Sequence, residues 1–226
     1  AICPLSIKCP ILLAKIASSK LSPASLFKLT EEWAILSPIQ LIHFTKSSNS
    51  DLLQYASETL KKCYPAEDIF FYIPQIVQAL KGPANGAQIA KELILHLAKR
   101  SFLFSHLIIW NMKANMALDD SGDKIDSTFA PILEDMIDRI TQDLSGDALS
   151  FYEKEFSFFQ KVTHISATLK PLIKSTKEEK KKKIDQELGA IPVEKGVYLP
   201  SNPESTVVGI DYTSGKPLQS AAKAPF

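Results

Sequence analysis

The chain has 226 residues, 45% hydrophobic and 23% charged, with a formal net charge of +1 and a mean hydropathy near zero. That is enough apolar material for one large or two small soluble domains and too much for a disordered tail. Apolar runs stay far short of the ~20 residues of a membrane-spanning helix: the oiliest, IFFYI at 69–73 and LIIW at 107–110, end quickly in polar residues.

The N-terminal AICPLSIKCPILLAKIA superficially suggests a signal peptide, but Lys8 and Lys15 interrupt it, two prolines break it, and Ala stands first. Residues 1–24 are therefore left unassigned, as an internal segment of something longer. From about Ser25 to Met116 one pattern repeats: a cap or breaker, then apolar residues at spacings of three and four. Ser37 and Pro38 open PIQLIHF. Asn49 and Ser50, with Asp51 in the first turn, open DLLQYASETLKKC, whose Leu52, Ala56, Leu60 and Cys63 fall along one stripe. Pro65 opens the next element and Pro74 divides it, because proline suits a helix's first turn and breaks its interior. Ile76, Val77 and Leu80 follow, then Gly82, Pro83 and Gly86 as punctuation, then AQIAKELILHLAKR with Ile89, Leu93 and Leu97 inward. Ser101 opens FLFSHLIIWNMKANM. Short helices that each bury only one face predict stacked antiparallel pairs of the armadillo or HEAT type, although no strict repeat is visible. Leu52, Leu60, Ile73, Ile76, Leu93, Ile108 and Trp110 are the expected core.

LDDSGDKID at 118–126 reads as a polar linker, followed by helical patterns over roughly Phe129–Leu144 and Ala148–Leu169 separated by SGD. Phe151, Tyr152, Phe156, Phe158 and Phe159 crowd the second, which predicts packing on two sides. Charge is unevenly spread: Asp119–Glu155 holds eleven acids against Lys124, Arg139 and Lys154, whereas Lys174–Lys183 holds six lysines against Glu178 and Glu179. KSTKEEKKKKIDQEL reads as a solvated charged helix or linker. After Gly189 the texture becomes rich in Gly, Pro and Ser, with the β-branched run TVV at 206–208 and a turn at TSGK; strands begin here. The fold class is thus mostly α, ending in a short β segment.

No catalytic constellation is visible. His43, His96, His106 and His164 lie in helical stripes, none with a carboxylate, cysteine or second histidine at i+3 or i+4, and read as core or boundary residues. Trp33 and Trp110 read as core anchors, and GxSxG is absent. Cys3, Cys9 and Cys63 are odd in number, without CxxC or zinc-ligand spacing, so reduced thiols in an intracellular setting are expected rather than a disulfide framework or a metal.

Three literal stretches are more specific. FYEKEFSFFQKVTHIS, GVYLPSNPES and GIDYTSGKPLQSAAKAPF resemble the junction between the accessory helical domain and the kinase domain of type III alpha phosphatidylinositol 4-kinases. FYIPQIVQALK and LFSHLIIWNMKANM resemble the accessory helical domain of the wider phosphatidylinositol 3- and 4-kinase families. The resemblance implies an accessory helical (PIK) domain at 25–118, an acidic linker, connecting helices and Lys-rich segment at 119–188, and the first strands of a lipid-kinase N-lobe at 189–226. It implies a parent enzyme that phosphorylates phosphatidylinositol at the 4-hydroxyl with ATP and Mg, cytoplasmic and peripherally membrane-associated, with the rest of the kinase domain in cis as first partner. This chain would be inactive alone, since the catalytic Asp-His-Asn and Asp-Phe-Gly segments would follow it.

Within that frame QSAAKAPF sits where a loop covers the ATP phosphates. Such a loop needs small residues for close backbone approach, a hydroxyl and a cation; Gln219, Ser220, Ala221, Lys223 and Pro225 form the candidate. From composition alone the same residues make an ordinary exposed hairpin. Lys180, Lys181, Lys182 and Lys183 read on their own as a solvated helix face, and the resemblance adds a candidate contact with anionic lipid. Nucleic acid is a poor partner for one basic run without interleaved aromatics. The alternative function is a noncatalytic helical-repeat adaptor or scaffold that binds another protein.

Overall fold

A computed structural model describes residues 37–44, 50–116 and 126–218. The N-terminal segment 1–24, Trp33, the linker at 118–125, the side chains of His43 and Leu52, and the stretch 219–226 lie outside the described residues. Contacts divide the chain into two compact units, one ending at Asp143 and the other beginning at Leu144.

The first unit is helical throughout its described part. Helices α1 (Pro38–Phe44) and α2 (Ser50–Cys63) lead into a 3-10 turn (Ala66–Tyr72), α3 (Ile73–Ala79), α4 (Ala84–Arg100), α5 (Phe102–Ala114) and α6 (Ala130–Gln142). The breakers act as the sequence predicts. Pro65 precedes the 3-10 turn in extended conformation and Pro74 lies in the first turn of α3, where its missing N–H costs nothing. The Ser101 hydroxyl caps α5 by accepting from Phe104 N at 3.2 Å. Helix α2 lies on α1 and α4, α3 on α4 and α5, and α6 on both α4 and α5.

The core between them contains Leu60, Ile73, Ile76, Val77, Leu80, Leu93, Leu97, Phe104, Ile108, Ile109 and Met112, all essentially inaccessible. Three expectations are corrected. The buried stripe of α2 is Leu53, Ala56, Ser57 and Leu60, while Cys63, the last residue of the helix, is exposed. Trp110 and Ile89 are half-buried rather than inward, because Ala90, Leu93, Ile94 and Leu97 on α4 and Ile108, Ile109 and Met112 on α5 already fill the interface. His164 is exposed on its helix, neither core nor boundary.

The second unit is built on α7 (Gly146–Thr168), a 3-10 turn (Lys170–Leu172), α8 (Lys177–Ala190) and a hairpin of β1 (Tyr198–Leu199) and β2 (Asn202–Thr206). The strands run antiparallel, Tyr198 opposite Thr206 and Leu199 opposite Asn202, with an irregularity between the two pairs. Beyond β2 the ladder continues through Val207, which donates to Val197 O at 2.7 Å and accepts from Gly196 N at 3.0 Å. Gly196 has φ +87°, a left-handed turn that a side chain would strain. Phe158 of α7, Ile191 and Val197 form a small core, with Phe151, Val162, Ile165, Leu199, Val207 and Ile210 around it. Phe151, Phe158, Val162 and Ile165 lie along one stripe of α7, and Phe156, off that stripe, is buried as well; strand pairing among the described residues is confined to the region from Gly196 onward.

Candidate functional site

In the second unit the chain leaves the hairpin at Ile210 and heads toward Leu218, and the local sequence shapes that exit closely. Asp211 makes the first turn: its Oδ1 accepts from Thr213 N at 2.9 Å and from the Thr213 hydroxyl at 2.8 Å, while its carbonyl accepts from the Ser214 hydroxyl. The two bonds from Thr213, the amide first, hold the Asp211 carboxyl below its usual range.

Helix α8 then grips the turn. Its N-terminus is fixed by a capping box in which Thr176 Oγ1 accepts from Glu179 N at 3.2 Å and Glu179 Oε2 accepts from Thr176 N at 3.0 Å. One turn further in, Lys181 Nζ donates to both carboxylate oxygens of Asp185 at 3.0 and 2.9 Å, to Thr213 O at 3.0 Å and to Gly215 O at 3.4 Å. Beside this clamp Gly215 runs so close to α8 that a Cβ there would overlap Ile184 Cγ2 and press Leu188 Cδ1 at 3.1 Å. Only glycine lets the backbone lie in that groove.

The hairpin is anchored from the other side by α7. The Tyr198 ring stands 5.4 Å from that of Phe151, tilted at 46°. Burial, and secondarily the charge of the buried Glu155, push the Tyr198 phenol well above its usual range, so this ring stays neutral.

The four lysines of the candidate lipid contact do not share one environment. Lys180 Nζ donates to Ile173 O at 2.9 Å, Lys181 holds the clamp, and Lys183 pairs with Glu187. Lys182 is exposed. The residues of the candidate phosphate loop, Gln219, Ser220, Ala221, Lys223 and Pro225, lie outside the described residues; the clamp at Gly215 stands four positions before the first of them. Sequence reasoning missed the clamp, because its acceptors are backbone carbonyls that carry no residue signature.

In the first unit three acids of the acidic stretch pair with lysines. Lys81 reaches Asp126 at 2.9 Å and lies 4.4 Å over the Phe129 ring, Lys91 reaches Asp135 at 3.7 Å, and Lys99 reaches Asp143 at 3.0 Å. The Lys81 hydrogen bond, with those from Thr128 and the Phe129 amide, lowers the Asp126 carboxyl to about 2. Among the described residues no group of three or more His, Cys, Asp or Glu side chains could hold a metal ion, and no helix is long and apolar enough to cross a membrane.

A helical body followed by a helix-anchored hairpin has the architecture of an accessory helical module. Residues 8–149 match the phosphoinositide 3-kinase family, accessory domain (PIK domain), and the chain belongs to that family. Similarity to individual proteins extends further along it. Phosphatidylinositol 4-kinase stt4 of Schizosaccharomyces pombe is 50% identical over 178 residues, 79% of this chain and 9% of the relative. Phosphatidylinositol 4-kinase STT4 of Saccharomyces cerevisiae is 46% identical over 217 residues, 93% of this chain and 11% of the relative. Phosphatidylinositol 4-kinase alpha 1 of Arabidopsis thaliana is 35% identical over 202 residues, covering 86% and 10%. The chain spans about a tenth of the length of these curated relatives.

Proposed function

We propose that the chain is the accessory helical domain and N-lobe entrance of a phosphatidylinositol 4-kinase, an enzyme that transfers the γ-phosphate of ATP to the 4-hydroxyl of phosphatidylinositol. The observation that carries this reading is 46% identity over 93% of the chain to a protein of that name. The helical unit then serves as an armadillo- or HEAT-like scaffold for the catalytic lobes and for protein partners. The β1–β2 hairpin opens the ATP-binding lobe, and the remainder of that lobe is its partner in cis. The parent works peripherally on a cytoplasmic membrane face, where the exposed Lys182 is the member of its run best placed to meet anionic headgroups.

In the same reading Gln219, Ser220, Ala221, Lys223 and Pro225 belong to the loop over the ATP phosphates. The donor set fits a phosphate chemically: a hydroxyl on Ser220, a permanent cation on Lys223, and a small side chain at Ala221 that leaves backbone N–H groups accessible. Magnesium would arrive with the nucleotide, and residues elsewhere in the parent would supply phosphoryl transfer. The test is Lys223→Ala in the full kinase. Loss of one charge-assisted contact raises the Michaelis constant for ATP or lowers turnover by roughly tenfold to a hundredfold. Unchanged ATP kinetics would remove QSAAKAPF from the active site.

A further inference from the structure

We propose that Lys181, oriented by Asp185, is a positioning residue for ATP binding: it straps the Thr213–Gly215 turn to α8 and so fixes the backbone that feeds the phosphate loop. The proposal rests on the assignment of 219–226 to that loop.

Three independent features converge on the turn. The Lys181 ammonium has three donors, and its contacts divide between the Asp185 carboxylate, one turn on along α8, and the carbonyls of Thr213 and Gly215, 32 and 34 residues away. Gly215 is seated on Ile184 and Leu188, so the strap acts on backbone already in van der Waals contact with α8. Asp211 closes the turn from within through Thr213, which leaves the Thr213 carbonyl free to accept from outside. A solvated lysine face requires none of this, and a lipid-binding lysine would have to give it up. Between the strapped Gly215 and Gln219 only Lys216, Pro217 and Leu218 intervene, and Pro217 has a fixed φ that stiffens the connection.

Lys181→Met keeps the aliphatic stem and removes the donors, and Lys181→Arg restores them. Peptide-level amide exchange and steady-state kinetics are measured on the full kinase, with exposed Lys161→Met as the control. In Lys181→Met, exchange over residues 211–218 is expected to accelerate about tenfold. The Michaelis constant for ATP rises roughly three- to tenfold while that for phosphatidylinositol stays unchanged, and Lys181→Arg recovers most of both effects. Unchanged exchange would overturn the strap itself. Faster exchange with normal ATP kinetics, in an enzyme that Lys223→Ala does impair, would overturn the positioning role and leave the phosphate loop standing. Faster exchange with neither substitution affecting ATP would overturn both. Weaker vesicle binding as the sole defect of Lys181→Met would return the residue to the membrane.

Discussion

His106 offers a quantitative check on the helical unit. Its ring is inaccessible in α5, 4.1 Å from the Phe102 ring, and burial lowers its pKa from 6.5 to about 4. Between those values the unfolded chain binds a proton that the folded chain refuses. Stability is therefore fully present above pH 6.5 and drains away as pH falls toward 4. The two pKa values give a loss of about 2 kcal/mol at pH 5 relative to pH 8, approaching about 3 kcal/mol below pH 4. Other groups titrate in the same range, so the informative quantity is a difference. Urea midpoints of the native chain and of His106→Phe, which cannot titrate, are compared at pH 8, 7, 6 and 5. Any constant offset from repacking cancels, and the native midpoint should fall relative to the variant by about 1 M between pH 8 and 5, taking an m-value of about 2 kcal/mol/M. Parallel lines would refute the account, since a histidine that loses no stability on charging must be hydrated or paired in its charged form.

Ser57 Oγ is buried without a hydrogen-bond partner in a small cavity lined by Leu53, Ile76, Gly86 and Leu93, so Ser57→Ala should raise the urea midpoint by an amount equivalent to ~1 kcal/mol. Leu93→Ala in the same cavity should lower it by the equivalent of ~2–5 kcal/mol; a destabilised Ser57→Ala protein would show that the hydroxyl is satisfied. Thr176→Ala removes the capping box of α8 and should cost ~1 kcal/mol of local stability, seen as faster amide exchange over 177–183 with the first unit untouched.

The helical half was legible because its signals are local. Pro65, Pro74 and Ser101 each mark a boundary by a property of one residue, a missing N–H or a side-chain acceptor, and the structure uses each as expected. The face of α2 was less so: Ala56, Leu60, Cys63 and Leu53, Ala56, Ser57, Leu60 both fit a helical stripe, and the neighbouring α4 decides between them, leaving Cys63 exposed. The acids after Asp119 were countable, but Lys81, Lys91 and Lys99, which pair with three of them, come from a turn and a helix far earlier in the chain. KEEKKKK announced charge and concealed purpose for the same reason. What distinguishes Lys181 from Lys182 is a pair of carbonyls more than thirty residues later.

The division after Asp143 also sets an order of events during synthesis. Contacts of the first unit close within itself, so it can collapse as soon as its last helix clears the ribosome. Helix α7 emerges next with Phe158 uncovered, and its lid, Val197, is encoded 39 residues downstream. At ~5–20 residues per second the ribosome leaves that apolar face bare for roughly 2–8 s, long enough for a chaperone to find it. A nascent chain stalled between Phe158 and Val197 would present a finished helical body trailing one sticky helix, an apolar face for cotranslational quality control to meet.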